Sequence, residues 1–189
     1  MSSAPVDVIF FHGAGAGARE ADEKLAENLA RHLGDGFSVT LPYLPEDEDS
    51  GDDLWLEAIG AAISRASRPA VLVGHSAGGY MLLKQLALRR HTTEIAGICI
   101  IAAPFPGSDQ DWTFDGFELP TDLDERLPPD APIIFYASED DEIVPFAHRD
   151  LFAAAIPRAE VRTTAGGHQL GDDLRAVADD IRGLTATTV

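Results

Sequence analysis

Ala70-Val71-Leu72-Val73-Gly74-His75-Ser76-Ala77-Gly78-Gly79 runs without a break into Tyr80-Met81-Leu82-Leu83-Lys84-Gln85-Leu86-Ala87-Leu88. The opening residues have the apolar, β-branched composition of a buried strand, and the closing ones have the composition of a helix. Gly-x-Ser-x-Gly between strand and helix is the sequence form of a nucleophile elbow. This is a strained turn that lifts a serine hydroxyl above the carboxyl end of the sheet. Glycine is expected at 74 and 78 because a Cβ at either place would strike the neighbouring strand or helix.

Working outward, further apolar runs predict strands over 6–11, 37–41, 95–102, 132–137 and near 160–163. Helical spacing of Ala21, Leu25, Leu29 and Leu33 predicts a helix over about 20–33. Similar patterns predict helices over about 52–66, around 146–156, and through Leu174, Val177, Ala178 and Ile181, with a frayed tail from Thr185. Strands alternating with helices imply a mostly parallel six-stranded sheet covered on both faces. Right-handed crossovers give the order 2-1-3-4-5-6. The 189 residues contain neither an internal repeat nor a linker, so a single domain is expected over 1–189.

Composition narrows the function. A formal net charge of -18 repels phosphate backbones and anionic membrane surfaces, so neither nucleic-acid nor membrane binding is expected. No run is long and apolar enough to span a bilayer. Met1-Ser2-Ser3-Ala4-Pro5 lacks the basic and apolar regions of a signal peptide, so none is expected. The single cysteine, Cys99, can form no internal disulfide, which fits a reducing, cytoplasmic setting. Within Ile98-Cys99-Ile100-Ile101 it reads as buried filler. The acidic run from Glu46 to Asp53 reads as a solvated loop leading to a helix N-terminus and lacks EF-hand spacing. Gly13-x-Gly15-x-Gly17 has the wrong spacing for a dinucleotide-binding turn, and no acidic residue follows the second strand to hold a ribose. No His-Glu-x-x-His motif is present. Neither a cofactor nor a metal is therefore expected.

A serine hydroxyl needs a base, and the base needs a carboxylate to orient it. Downstream of Ser76 the chain offers both, in the order Ser, Asp, His. Asp140 and Asp141 lie just beyond strand five, and His168 follows strand six in Gly166-Gly167-His168-Gln169. All sit at the carboxyl edge that carries Ser76, where open α/β sheets place ligands. Spacing alone does not separate Asp140 from Asp141. His75, beside the serine, reads as a support of the loop. Two backbone donors should face a developing oxyanion. One is Ala77 N–H. The other comes from the loop His12-Gly13-Ala14-Gly15, with Ala14 favoured and Gly13 or Gly15 as alternatives.

These residues together resemble the α/β-hydrolase superfamily. More narrowly, the chain resembles the small serine hydrolases grouped with retinoblastoma-binding protein nine. The likeness runs through His12-Gly13, Trp55, the elbow and Ala103-Pro104-Phe105-Pro106-Gly107. It continues in Asp141-Glu142-Ile143-Val144-Pro145-Phe146 with His148, and in Gly167-His168-Gln169. The family pattern Asp-x-x-Val-Pro selects Asp141 as the triad acid. The resemblance implies a three-layer hydrolase fold with a minimal lid and a serine hydrolase or esterase activity. The partner-binding motif Leu-x-Cys-x-Glu is absent, since Cys99 has Gly97 two before it and Ile101 two after it.

The lid would be the segment Pro104–Ala131, which carries Phe105, Trp112, Phe114 and Phe117. These rings either line an acyl pocket, with Phe105 and Trp112 touching substrate, or pack the cover onto the core. The expected partner is a small ester or related acyl compound. A thioesterase, an amidase, an acyltransferase and a non-catalytic binding protein on the same scaffold remain alternatives.

Overall fold

Strands apolar on both sides require cover on both faces, and the helices between them supply it. A computed structural model describes residues 4–45, 51–66, 69–108, 110–113 and 116–186. Its six strands are β1 (Val6–Phe11), β2 (Phe37–Thr40), β3 (Ala70–His75), β4 (Ile95–Ile101), β5 (Ile133–Ser138) and β6 (Glu160–Thr164). They form one all-parallel sheet in the order β2-β1-β3-β4-β5-β6. The helices are α1 (Ala18–Leu33), α2 (Asp52–Arg65), α3 (Ala77–Leu88), α4 (Leu123–Arg126), α5 (Ala147–Ala155) and α6 (Arg175–Ala186).

Successive strand residues point to opposite faces. Ile9, Phe11, Leu72, Ile98, Ile100 and Phe135 pack in one core with residues of α2, α3 and α5. Val8, Phe10, Val71, Val73, Cys99 and Tyr136 pack in the other with residues of α1 and α6. Each Val, Ile, Leu or Phe among them contributes roughly 1.5–3 kcal/mol on burial. Cys99 is fully buried, and burial pushes its thiol up to about 12, so it is inert filler.

The chain steps from β1 outward to β2 and then crosses back to β3. The loops after β1 and β3 therefore flank a topological switch point, where the carboxyl ends of neighbouring strands open a crevice. The elbow glycine and histidine belong to β3 itself, since Gly74 pairs with Phe11 and His75 with Ile101.

Three details depart from the sequence reading or lie beyond it. Thr185 and Ala186 continue α6 rather than fraying, and Thr185 Oγ1 donates to Ile181 O at 3.0 Å. The four-residue α4 and a 3₁₀ turn at Leu170–Asp172 were too short to leave a periodic signal. Glu46–Ser50 of the acidic run and Phe114 of the cover lie outside the described residues. Asp52 and Asp53 occupy the first turn of α2, where negative charge is favoured. Among the described residues no helix is long and apolar enough to cross a membrane.

Candidate active site

The elbow is built by close backbone approach. Ser76 has φ 51 and ψ -127, a conformation that costs a non-glycine residue on the order of 1–3 kcal/mol. It is held on both sides. Ser76 N–H donates to Ile101 O at 2.8 Å, and Gly79 N–H and Tyr80 N–H donate to Ser76 O at 3.0 and 3.2 Å. A Cβ on Gly74 would lie 2.6 Å from Gly79 Cα. A Cβ on Gly78 would overlap the Phe11 and His12 carbonyl oxygens. The two glycines thus let α3 leave β3 abruptly and bring the loop after β1 against the serine.

That loop supplies the candidate oxyanion donors. Gly13 N–H donates to Asp22 Oδ2 at 2.7 Å, which removes Gly13 from the alternatives. Among the described residues neither Ala14 N–H nor Ala77 N–H donates to another protein group.

His168 sits in the turn after β6, buried to 5% exposure. Its Nδ1 lies 2.9 Å from Asp141 Oδ2 and 3.1 Å from Oδ1. A carboxylate only accepts, so Nδ1 carries the proton and the neutral ring keeps a lone pair on Nε2. Asp141 Oδ1 also accepts Ile143 N–H at 2.8 Å and Val144 N–H at 2.9 Å. Burial pushes the Asp141 carboxyl up. The bonds from His168, Val144 and Ile143 outweigh it and hold the group below the usual carboxylate range.

The structure separates the two aspartates that the sequence left together. Asp140 turns away from the imidazole and accepts Gly166 N–H and Gly167 N–H, each at 3.1 Å from Oδ1. It cradles the turn that presents His168. Glu142 Oε2 adds a bond from His168 N–H at 3.4 Å.

His75 lies with its ring centroid 4.8 Å from that of His168. Its Nε2 donates to His168 O at 2.9 Å, and its Nδ1 lies 2.9 Å from Asp22 Oδ2. Asp22, fully buried on α1, escaped the sequence reading. The signal was there, since Asp22 stands three residues before Leu25 and four before Ala26, on the stripe α1 buries.

Among the described residues the Ser76 hydroxyl makes no hydrogen bond, so the serine and His168 share the sheet edge without being joined. Catalytic hydrogen bonds of unliganded sites commonly tighten only when substrate binds. Among the described residues no group of three or more His, Cys, Asp or Glu side chains could hold a metal ion.

The cover is pinned at two places. Glu118 N–H donates to the Tyr80 hydroxyl at 3.0 Å, and Lys84 Nζ donates to Gly116 O at 2.6 Å. Phe105 N–H donates to Nδ1 of buried His148 at 2.9 Å, while His148 Nε2 lies 2.9 Å from Ser108 Oγ. The Phe105 ring stands edge-on to Phe152 at 4.9 Å, and Trp112 edge-on to His148 at 5.5 Å. Phe105 also lines an open cleft of about 670 Å³ with Phe117, Leu119, Leu123 and Ala155, and Trp112 is not part of that lining.

A parallel sheet with a serine elbow after β3, and an Asp–His pair at the same edge, is the architecture of an α/β hydrolase. The chain belongs to the alpha/beta hydrolase family, whose profile matches residues 8–188. No curated protein sequence matches it significantly. Solved structures share the fold at low identity. The ydeN gene product of B. subtilis is 22% identical, with 96% of this chain and 99% of that one covered at a TM-score of 0.76. A serine hydrolase involved in carbazole degradation is 15% identical, with 98% and 93% covered at 0.75. The esterase domain of a Rhodothermus marinus protein is 19% identical, with 95% and 86% covered at 0.67.

Proposed function

We propose that this chain is a serine hydrolase that cleaves small carboxylic esters through a covalent acyl-enzyme. One observation carries the reading. A serine held at φ 51 on the elbow shares its sheet edge with a buried histidine whose Nδ1 is 2.9 Å from a carboxylate. In the first step Ser76 Oγ attacks the ester carbonyl carbon while His168 Nε2 takes the hydroxyl proton. The tetrahedral oxyanion is stabilised by Ala77 N–H and Ala14 N–H. Collapse breaks the bond to the alkoxy oxygen, which leaves as the alcohol with the proton from His168. Water then attacks the acyl-enzyme with His168 again as base, and the carboxylic acid departs as Ser76 recovers its proton. Asp141 holds the tautomer and stabilises the imidazolium. Losing one oxyanion donor costs roughly 2.7–4 kcal/mol of transition-state stabilisation.

In this reading Phe105 meets the acyl group, with Trp112 behind it against His148, while the cleft that Phe105 lines is bordered by neither Ser76 nor Asp141 nor His168. Being short, the cover favours accessible esters over long buried chains. The narrower likeness to the hydrolases grouped with retinoblastoma-binding protein nine rests on His12-Gly13, Trp55, residues 103–107, residues 141–146 with His148, and Gly167-His168-Gln169. Net charge of -18 and a single buried cysteine fit a cytoplasmic enzyme with a small-molecule partner and neither nucleic-acid nor membrane binding. A second reading, a binding protein on a hydrolase scaffold, is favoured by the unengaged Ser76 hydroxyl. Labelling by a fluorophosphonate separates the two, since only an activated serine reacts. A substrate panel of esters, thioesters and amides, with and without acyl acceptors, then fixes the reaction.

A further inference from the structure

Three loops must keep register for the proposed chemistry: the oxyanion loop after β1, the elbow after β3 and the base turn after β6. They come from distant parts of the chain, yet one buried connection joins all three. Asp22 Oδ2 accepts Gly13 N–H at 2.7 Å and lies 2.9 Å from His75 Nδ1, and His75 Nε2 donates to His168 O at 2.9 Å. Both residues are at most 1% exposed. The mechanism above uses neither.

We propose that Asp22 and His75 form a buried carboxylate–imidazolium positioning pair that locks the oxyanion loop, the elbow and the base turn in one catalytic register. The inference rests on the reading of Ser76 and His168 given above.

The partners' chemistry points to the charged form. The His168 carbonyl can only accept, so Nε2 carries a proton. An ionised Asp22 facing Nδ1 then requires a second proton on the ring. Burial pushes His75 down, but the bond to Asp22, the charge of Asp22, the His168 carbonyl and the charge of Asp141 together raise it. Burial likewise pushes Asp22 up, and His75, Gly13 N–H and the Gln169 side chain outweigh that and lower it. Among the described residues, the titratable groups facing His75 are Asp22 from α1, Asp141 from the turn after β5 and His168 from the turn after β6.

This placement makes the pair a positioning device rather than a second acid–base set. His75 reaches the backbone of residue 168 and not its ring nitrogens. A shift of about 1 Å in a catalytic group can cost on the order of 10²-fold in rate, so release of the latch should act on kcat.

Two arms test the proposal on the full-length protein. The first records proton–nitrogen NMR spectra of ¹⁵N-histidine-labelled wild type, with His75→Gln used to assign the resonances. The expected result is a His75 ring protonated on both nitrogens at pH 7, titrating above the ordinary histidine value of about 6.5. A singly protonated ring at that pH overturns the proposal. The second arm measures hydrolysis of p-nitrophenyl acetate by Asp22→Asn and His75→Gln. Each should lower kcat about 10–100-fold with KM within about twofold. Loss of the second His75 proton should lower wild-type kcat at alkaline pH, and this fall should move to lower pH in Asp22→Asn, because the carboxylate that raises His75 is gone. A folded Asp22→Asn or His75→Gln with wild-type kcat and an unmoved alkaline limb overturns the proposal. If one variant fails to fold, the other and the wild-type spectrum decide. If wild type is not labelled at Ser76 by a fluorophosphonate, the hydrolase reading fails, and the spectrum still decides whether the pair exists.

Discussion

Replacing Asp141 by Asn gives the most specific consequence of the site geometry. The substitution is nearly isosteric, and the new side chain has two orientations. In one, its oxygen keeps the bonds from Ile143 N–H and Val144 N–H, now 2.8 and 2.9 Å, and its NH₂ faces His168 Nδ1. In the other, its oxygen faces His168 and both backbone amides lose their acceptor. The partly buried Val144 amide left unpaired costs about 1–3 kcal/mol, so the first orientation wins. His168 must then bare Nδ1 to accept from the amide, and its proton moves to Nε2. A ring protonated on Nε2 cannot take the Ser76 proton. A wrong tautomer of this kind lowers kcat by about 10⁴-fold, or about 5 kcal/mol of barrier, with the fold intact. Asp140→Asn differs, because its oxygen can still accept Gly166 N–H and Gly167 N–H. It should retain most of kcat. Steady-state hydrolysis of p-nitrophenyl acetate, with circular dichroism melts to confirm folding, makes the comparison. If Asp141→Asn keeps more than a tenth of kcat, or Asp140→Asn loses as much, the assignment of Asp141 is refuted.

Gly78→Ala should lower stability by about 1–3 kcal/mol, a Tm loss of roughly 2–12 °C by calorimetry, because its Cβ overlaps the Phe11 and His12 carbonyls. The folded-state values of Asp22 and Asp141 are both lowered. Their contribution to stability is therefore complete above the unfolded carboxylate value of about 3.9 and is lost as pH falls through the folded values. Urea midpoints should drop below about pH 4, and a midpoint flat to pH 2 would contradict the shifts. His75 is raised, so its contribution is complete below about pH 6.5 and fades as pH rises through its folded value, which an alkaline urea series will detect. Phe105→Ala should change the ranking of short and long acyl esters, whereas Trp112→Ala should mainly lower Tm through lost packing on His148; an unchanged ranking in Phe105→Ala removes it from the acyl wall.

The elbow was legible because its signal is local: two glycines, a serine and the strand–helix switch lie within a dozen residues. Ala14 could be favoured but not separated from Gly13, since only the folded chain reveals Asp22 holding Gly13 N–H. Asp140 and Asp141 were inseparable by composition because both follow β5. They diverge in direction, one toward the glycine turn and one toward the imidazole. Asp22 went unread because α1 was located by its apolar residues, and a carboxylate on the buried stripe looks like a gap in the pattern. Its partner, His75, is 53 residues away. The cover left least trace. It has no period, and its anchors are Tyr80, Lys84 and His148 from α3 and α5.

The central claim is that Ser76 is an activated nucleophile. Intact-mass and peptide-mapping analysis after treatment with a fluorophosphonate tests it directly. The account predicts one adduct per chain, mapped to Ser76 in wild type and lost in Ser76→Ala. A wild-type protein that stays unlabelled, or an adduct that survives Ser76→Ala, would contradict it.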